Sequence, residues 1–160
     1  MLFRSKAARE AARRLRDQGV ESVAVCLLFS FVNPAHEQRL AEIVREELPG
    51  TPLSLSHQVM PKAPEFERTS TTVVNAFVAP RVTRYLDRLD ARLREAGYRR
   101  RLLVMQSSGG VMSSAAAVSH PVRTILSGPA SGVNGAIFVG RAAGASDLIT
   151  YDMEIGRAHV

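Results

Sequence analysis

The hydrophobic pattern of the first 56 residues alternates between helical and extended spacing. Small and apolar residues recur every three or four positions over residues 5–18 and residues 34–48, which predicts two amphipathic helices. Between them, residues 21–31 form a nearly continuous apolar run, which is typical of a strand buried on both faces. Residues 52–56 predict a second, short strand. This order indicates an α/β fold with a mostly parallel sheet covered by helices.

A long helical region follows a loop that contains two prolines. Helical spacing extends over residues 65–96, and we expect a bend at Pro80 because proline lacks the N–H that continues the helix. Glu65, Glu67 and Arg68 begin this region and are interpreted as helix-dipole and ion-pair residues, with a substrate-facing role as the alternative. The predicted units are residues 1–64 (the end of one subdomain), residues 65–98 (a connecting helical region) and residues 99–153 (the start of a second subdomain).

The last third of the chain predicts further strands and one more helix. Apolar residues 102–105 and 148–151 predict two strands. An alanine-rich piece predicts a weak helix, and the apolar residues 124–126 lead from it into a small polar turn. Residues 131–143 predict a helix of small residues, which Gly144 ends.

Two small polar turns adjoin these predicted strands. Ser107-Ser108-Gly109-Gly110 follows the first strand, and Ser127-Gly128-Pro129 precedes the final helix. Turns of this kind leave backbone N–H groups unpaired and pointing one way, which suits an anion. The last strand ends on Asp152, at a position where α/β folds hold the metal and phosphates of a nucleotide. Together these features indicate a nucleotide site, although one such turn alone usually only connects two elements.

Composition and charge narrow the class of protein. A chain with 46% hydrophobic and 22% charged residues is globular, and no apolar run has the length of a membrane span. The net charge of +6 arises from arginines spread over helix faces among acidic residues. Because no aromatics interleave with them, solvated helix faces explain the charge better than a nucleic-acid surface does. The single Cys26 is interpreted as a core residue, and cytoplasm is the expected compartment.

Other chemistries receive little support from the residues. The turn serines do not form a Gly-x-Ser-x-Gly elbow, which disfavours a serine hydrolase. The four histidines are isolated, so a metal site built from this chain alone is not expected. His57 is interpreted as a surface or hydrogen-bonded structural histidine, with a role in a site shared with other segments as the alternative. Asn75, in an apolar helix, either bonds neighbouring backbone or lines a cleft.

Several motifs resemble those of one known family. They are Met105-Gln106-Ser107-Ser108-Gly109-Gly110, the run from Pro121 to Ala130, Gly132 through Gly140, and upstream Glu65 to Thr72 followed by Asn75-Ala76-Phe77 and Pro80. Over residues 21–153 the chain resembles the hydantoinase A/5-oxoprolinase family, which includes the β-subunit of acetone carboxylase.

The resemblance implies an actin/Hsp70-like (RNase H-like) ATPase core that uses ATP and Mg²⁺ to open a small cyclic amide such as a hydantoin or 5-oxoproline. A hydantoinase B-type subunit is the implied partner, and no nucleic acid or membrane is expected. The acetone carboxylase branch implies ATP-dependent carboxylation as an alternative, and a non-catalytic module that binds a partner subunit is a further one. The residues that match the family's nucleotide-side motifs are Ser107, Gly109, Gly110, Ser127, Gly128, Gly132 and Asp152, with Asp152 also the expected metal ligand.

The chain departs from the family pattern after Met153. The family continues there with Gly-Gly-Thr, a phosphate loop, whereas this chain continues Glu154-Ile155-Gly156-Arg157 and ends at Val160. The heptapeptide 154–160 corresponds to the translation of a sequencing-adapter sequence, so we expect these residues to be foreign. Because the family is much longer, the chain is expected to be an internal fragment with a marginal, aggregation-prone fold.

Overall fold

Two short parallel strands and two helices form the first half of the fold. In the computed structural model, which describes residues 4–153, helix α1 (Ser5–Asp17), strand β1 (Val23–Val25), helix α2 (Ala35–Glu47) and strand β2 (Leu53–Leu55) follow in order. Strands β1 and β2 pair in parallel, with Ala24 opposite Ser54. The architecture is α/β with a parallel sheet, as the sequence predicted. Residues 154–160, expected to be foreign, lie outside the described residues.

The core of this half lies between the two helices and the strand pair. Its buried side chains come from α1, β1 and the end of α2, with Leu53 of β2 packed against them: Ala12, Val23, Ile43, Val44 and Leu48. Above this core, the carboxylate of Glu47 on α2 accepts hydrogen bonds from Arg9 (3.3 Å) and Arg13 (3.0 Å) on α1. The arginine face of α1 is therefore used to hold α2, in addition to being solvated.

The second half is built around one long helix. After the short α3 (Ser56–Val59), helix α4 (Glu65–Glu95) leads to the antiparallel hairpin of β3 (Leu103–Met105) and β4 (Val111–Ser113). Helix α5 (Ser114–Ser119), a 3₁₀ turn (Pro121–Thr124) and helix α6 (Ser127–Ala142) are the last helical elements of the described residues. A second core forms where α4, β4 and α5 meet, and it contains Leu86, Met112 and Ala117.

Helix α4 joins the two halves through one buried amide. Asn75 Nδ2 donates to Ser54 Oγ on β2 (2.9 Å), and Asn75 Oδ1 accepts from the Val122 backbone N–H in the 3₁₀ turn (3.0 Å). Of the two interpretations offered for Asn75, the structure therefore supports hydrogen bonding. Pro80 lies inside the helix, which continues through it as one element.

The structure corrects several predicted elements. The apolar run 21–31 forms a strand only over β1, because the chain turns at residues 28–32, where Phe29 adopts a left-handed φ of 57° and is exposed. Residues 148–151, predicted to be a strand, form no strand in the part of the chain that is described, and Ile149 is fully exposed there. In the run 21–31 only three residues pair in a sheet, and in residues 148–151 none does, so an apolar run alone did not predict the extent of a strand.

Three shorter elements also differ from the prediction. The predicted turn at residues 127–129 is the first turn of α6, which begins directly after Leu126 in a left-handed conformation (φ 59°). The loop predicted from residue 57 contains most of α3, and β4 was not predicted. Across residues 4–153, no helix combines the length and apolar character needed to cross a bilayer.

We predict that Asn75→Leu lowers the free energy of unfolding by about 1–3 kcal/mol, because it leaves the buried Ser54 hydroxyl and the Val122 N–H without their partner. Urea denaturation followed by circular dichroism measures this change. Ser70→Ala, on the exposed face of the same helix, is the matched control and should change stability by no more than about 0.5 kcal/mol. Equal effects of the two substitutions would show that Asn75 does not link the halves.

Candidate functional site

Several polar groups of the Ser107–Gly110 turn form hydrogen bonds with other groups of the protein. The Ser107 N–H donates to Arg123 O (2.8 Å), and the Ser107 hydroxyl donates to the same oxygen (3.1 Å). The Gly109 N–H donates to Gln106 O (2.9 Å), and Gly110 O accepts from the Gln106 N–H (2.8 Å). The expectation that this turn points a set of unpaired amides at an anion is therefore wrong for Ser107 and Gly109.

Gly109 fixes the turn against helix α6. Its backbone is left-handed (φ 83°), and its carbonyl accepts a hydrogen bond from Asn134 Nδ2 at 2.6 Å. A Cβ added at this position would lie 2.9 Å from the same nitrogen. The left-handed backbone favours glycine at position 109, and an added Cβ would also displace the Asn134 amide from its contact.

Asp152 and Gly132 share a pocket of about 310 Å³ on another side of α6. Its wall is formed by Pro129, Gly132 and Ala136 of the helix, and Asp152 lies at the end of the segment that covers it. In a helix with 100° between residues, Asn134 points away from the face that Gly132 and Ala136 share. The Ser107–Gly110 turn and the Asp152 pocket therefore flank α6 from different sides.

The first turn of α6 is the element common to both sides. Ser127 is half-buried and Gly128 is exposed at this terminus, while the Ser131 hydroxyl donates back to Ser127 O. In the first turn of this 16-residue helix only Ser127 and Gly128 can offer free N–H groups, because Pro129 has none and the Ala130 N–H donates to Leu126 O (3.3 Å). The anion site proposed for this terminus stays a prediction.

The residues present fit ATP and Mg²⁺ as a partial site. Mg²⁺ is usually held by one or two carboxylates together with substrate phosphates and water. Asp152 is exposed and supplies one such carboxylate beside the pocket. Within residues 4–153 there is no group of three or more histidine, cysteine, aspartate or glutamate side chains that could hold a metal ion. A metal here would depend on Asp152 and on the nucleotide itself.

A buried polar network, which the sequence did not predict, lies at the carboxyl ends of β1 and β2. Glu37 of α2 is fully buried. Its Oε1 accepts from the Leu27 N–H (2.9 Å) and the Ser56 hydroxyl (2.6 Å), and its Oε2 accepts from the His57 N–H (3.0 Å) and His57 Nδ1 (2.7 Å). The Ser30 hydroxyl lies 2.9 Å from that of Ser56.

The four donors keep the Glu37 carboxyl ionised. Burial by itself raises its pKa, but the hydrogen bonds from Ser56, His57 and Leu27 outweigh burial, so the pKa lies below its ordinary value. The bond at Nδ1 fixes the orientation of the His57 ring, as carboxylates commonly do for functional histidines. The interpretation of His57 as a hydrogen-bonded histidine is confirmed.

Arg68 lies at the same edge and is not the helix-end ion-pair residue that the sequence suggested. Its side chain is buried, with Nη2 donating to Leu27 O (3.0 Å) and Nη1 to Lys62 O (3.3 Å). Its guanidinium carbon lies 5.2 Å from the centre of the Phe31 ring. In parallel sheets, ligands bind outside the carboxyl ends of the strands, so this network occupies a position typical of functional sites.

Neither Glu37 nor Arg68 carries a local sequence signal for burial. Both stand in the first turns of helices, where charged residues usually serve the helix dipole. One available hint was the run of polar residues Ser54, Ser56 and His57 on and directly after a predicted buried strand. Such residues need buried partners, and the partners come from α2.

The comparisons with known proteins agree with this fold. Two short parallel strands flanked by helices, with a carboxylate beside a helix start, are consistent with an actin-like ATPase core. Residues 68–154 match the family described as hydantoinase/oxoprolinase, and residues 2–48 match the hydantoinase/oxoprolinase N-terminal region. The chain belongs to the hydantoinase/oxoprolinase family.

Two curated relatives illustrate the range of this family. The chain is 39% identical over 138 residues to caprolactamase subunit alpha of Pseudomonas jessenii, covering 86% of this chain and 20% of that protein. It is 32% identical over 127 residues to 5-oxoprolinase of Saccharomyces cerevisiae, covering 79% of this chain and 10% of that protein. The chain therefore spans between a tenth and a fifth of the length of these relatives.

Two solved structures share the fold. The crystal structure of ATP-dependent caprolactamase from Pseudomonas jessenii matches with a TM-score of 0.83 and 38% identity, covering 93% of this chain and 22% of that one. Nucleotide-free acetone carboxylase, an enzyme of ATP-dependent acetone carboxylation, matches with a TM-score of 0.78 and 34% identity, covering 88% and 20%.

We predict that Glu37→Gln changes how stability depends on pH. Because the folded-state pKa is depressed, the carboxylate stabilises the fold above the ordinary glutamate pKa of about 4.3, and this contribution is lost as the pH falls through the folded value. The variant should lose about 1–3 kcal/mol at pH 7, because the glutamine amide places a donor opposite donors. Its stability should then fall less than the wild-type stability on acidification.

Urea denaturation at a series of pH values measures this difference. Glu42→Gln, on the exposed side of the same helix, is the control and should retain the wild-type dependence on pH. A Glu37→Gln variant whose stability follows the wild-type curve through the acid range would refute a buried, ionised Glu37.

Proposed function

We propose that the chain is part of the ATP-using subunit of an enzyme that hydrolyses a small cyclic amide of the hydantoin or 5-oxoproline type. The observation that carries this proposal is the match to ATP-dependent caprolactamase, at 38% identity and a TM-score of 0.83. Caprolactamase and 5-oxoprolinase both act on cyclic amides by name, and both are among the relatives. The enzyme would be cytoplasmic and would assemble with a hydantoinase B-type subunit.

The first turn of α6 and Asp152 would form the nucleotide-facing part of this chain. Ser127, Gly128 and Gly132 would let the phosphates approach the helix start, because glycine leaves room for close backbone contact. The Asp152 carboxylate would hold Mg²⁺ at the mouth of the pocket that it shares with Gly132. Ser107, Gly109 and Gly110 would position α6 through the Asn134 contact.

ATP, when bound, would supply phosphoryl transfer to the amide oxygen, which makes a ring amide easier to open. The contribution of the chain itself is binding and orientation. The helix terminus offers donors to phosphate oxygens, and Asp152 offers a single metal ligand. The donors and the carboxylate stand on different segments, so phosphate and metal would be held from two directions.

The second candidate function is that of an ATP-dependent carboxylase subunit. The observation in its favour is the match to acetone carboxylase at 34% identity and a TM-score of 0.78. Both candidates would use the same nucleotide-facing residues. They differ in the acceptor of the phosphoryl group, which would be an amide oxygen in the hydrolase and the enol oxygen of a ketone in the carboxylase. A third candidate is a non-catalytic α/β module that only binds a partner subunit.

A segment exchange tests whether this chain supports ATP hydrolysis in such an enzyme. Residues 5–153 of this chain would replace the matching segment of caprolactamase subunit alpha, and the purified complex would be assayed for ATP hydrolysis with and without caprolactam. We predict ATP hydrolysis that depends on the lactam. A folded, assembled complex that does not hydrolyse ATP would favour the non-catalytic module and contradict the proposal.

In that chimera, Asp152→Asn should lower the rate of ATP hydrolysis at least about tenfold, the effect of about 1.4 kcal/mol on a barrier. The loss should be smaller at high Mg²⁺ concentration, because the amide still offers one weak oxygen ligand. Asp147→Asn, an exposed aspartate on the same segment, is the matched control and should leave the rate unchanged. Equal rates for the two variants would exclude Asp152 as a metal ligand.

A further inference from the structure

The His57 ring lies between a buried carboxylate and solvent. Its Nδ1 lies 2.7 Å from Glu37 Oε2, and the carboxylate, which cannot donate, accepts the Nδ1 proton. The side chain is 11% exposed, and Nε2 has no hydrogen-bond partner among the described residues. The one enclosed polar side-chain atom of those residues that lacks a partner is Arg68 Nε, so His57 Nε2 is open to solvent. In its neutral form the ring therefore presents Nε2 as a proton acceptor.

The Glu37 carboxylate is fixed in the position that orients this ring. Its other oxygen, Oε1, accepts from the Leu27 N–H (2.9 Å) and the Ser56 hydroxyl (2.6 Å), so the group cannot turn away from His57. A carboxylate that accepts from Nδ1 holds the imidazole in one tautomer and stabilises the imidazolium that forms when Nε2 takes a proton. The Glu37–His57 pair is therefore organised for proton transfer before any substrate arrives.

Arg68 leaves an unpaired donor at the same edge of the strand pair. Leu27 connects it to the Glu37–His57 pair, because the Leu27 N–H donates to Glu37 and the Leu27 carbonyl accepts from Arg68 Nη2 (3.0 Å). Arg68 is 1% exposed, and its Nε has no partner. Buried polar groups that only hold a fold normally have partners. An unpaired donor and an open acceptor at one edge are features of a site that receives a polar ligand.

His57 is also connected to the segment that leads into α6. The carbonyl of Gln58, the next residue, lies 3.3 Å from His120 Nε2, and His120 directly precedes the 3₁₀ turn. That turn and two further residues lead to Ser127, so the start of α6 lies within about 20 Å of His120. The Glu37–His57 pair and the nucleotide-facing turn can therefore belong to one active site.

We propose that His57 is the catalytic base of the cyclic-amide hydrolase and that Glu37 is its positioning residue, an inference that rests on the proposed function. The oxygen of a water molecule bonds to the amide carbon, and the proton that the water loses passes to His57 Nε2. The ring C–N bond then breaks with its electron pair on nitrogen, and the imidazolium returns the proton to that nitrogen. One water is consumed, the products are a carboxylic acid and an amine, and His57 ends the step neutral.

The position of the imidazole proton can be measured on the full chain without substrate or nucleotide. Long-range proton–nitrogen NMR spectra at about pH 8, above the ordinary histidine pKa of about 6.5, should show His57 protonated at Nδ1 and unprotonated at Nε2. Glu37→Gln should move the proton to Nε2, because the glutamine amide donates to Nδ1 where the carboxylate accepts from it. A proton on Nε2 in the wild-type chain, or a folded Glu37→Gln variant with the wild-type tautomer, would overturn the proposal.

The chimeric caprolactamase tests the catalytic role of His57. His57→Asn keeps a donor toward Glu37 but cannot take a proton, so it should slow the release of the ring-opened amino acid at least about 100-fold, with the KM for ATP unchanged. His36→Asn, an exposed histidine of α2, is the matched control and should leave the rate unchanged. In a His57→Ala variant, added imidazole should restore part of the lost rate, which it would not do for a residue that only holds the fold.

The outcomes separate this inference from the function on which it rests. If the chimera with His57 intact does not hydrolyse ATP, the proposed function fails, and the catalytic role of His57 fails with it. If that chimera opens the lactam and a folded His57→Asn variant opens it at the same rate, the proposed function holds. His57 would then be a structural residue, and only the inference drawn from its geometry would be overturned.

Discussion

The burial of one carboxylate constrains the whole carboxyl edge of the parallel strand pair. Glu37 has no contact with solvent, and an ionised carboxylate in that position is stable only if donors surround it. Those donors come from the segment after β1 and from the start of α3. Helix α2, the loop at residues 27–32 and the end of β2 therefore cannot move independently. Two strands of three residues each would hold this geometry poorly without that network.

Helix α4 extends the same constraint to the second half of the chain. Arg68 ties its beginning to the loop after β1, and Asn75 ties its middle to β2 on one side and to the 3₁₀ turn on the other. Within this 3₁₀ segment, Arg123 O accepts a hydrogen bond from the Ser107 N–H. The Ser107–Gly110 turn then contacts α6 through Asn134. A continuous series of hydrogen bonds thus connects the buried network to the helix whose first turn is proposed to face a nucleotide.

The sequence predicted the elements that local spacing determines, and it missed those that depend on distant partners. Helices α1, α2 and α4 were predicted within a few residues because their apolar faces are periodic. The run at residues 21–31 contained no signal for the turn at Phe29, and residues 148–151 carry a strand pattern without a strand beside them. The burial of Glu37 and Arg68 was not predicted, because tertiary contacts decide it. Asp152 and Gly132 were selected from motifs in the sequence, and the structure places both in the lining of one pocket.

The central claim is that the first turn of α6 and Asp152 receive the nucleotide. The most direct measurement is a crystal structure of the chimeric caprolactamase subunit with a non-hydrolysable ATP analogue and Mg²⁺. We predict phosphate oxygens within hydrogen-bonding distance of the backbone N–H groups of Ser127 and Gly128 and a metal coordinated by Asp152. Phosphates bound elsewhere, with Asp152 remote from the metal, would contradict the account, and the exchanged segment would then serve only to hold the fold together.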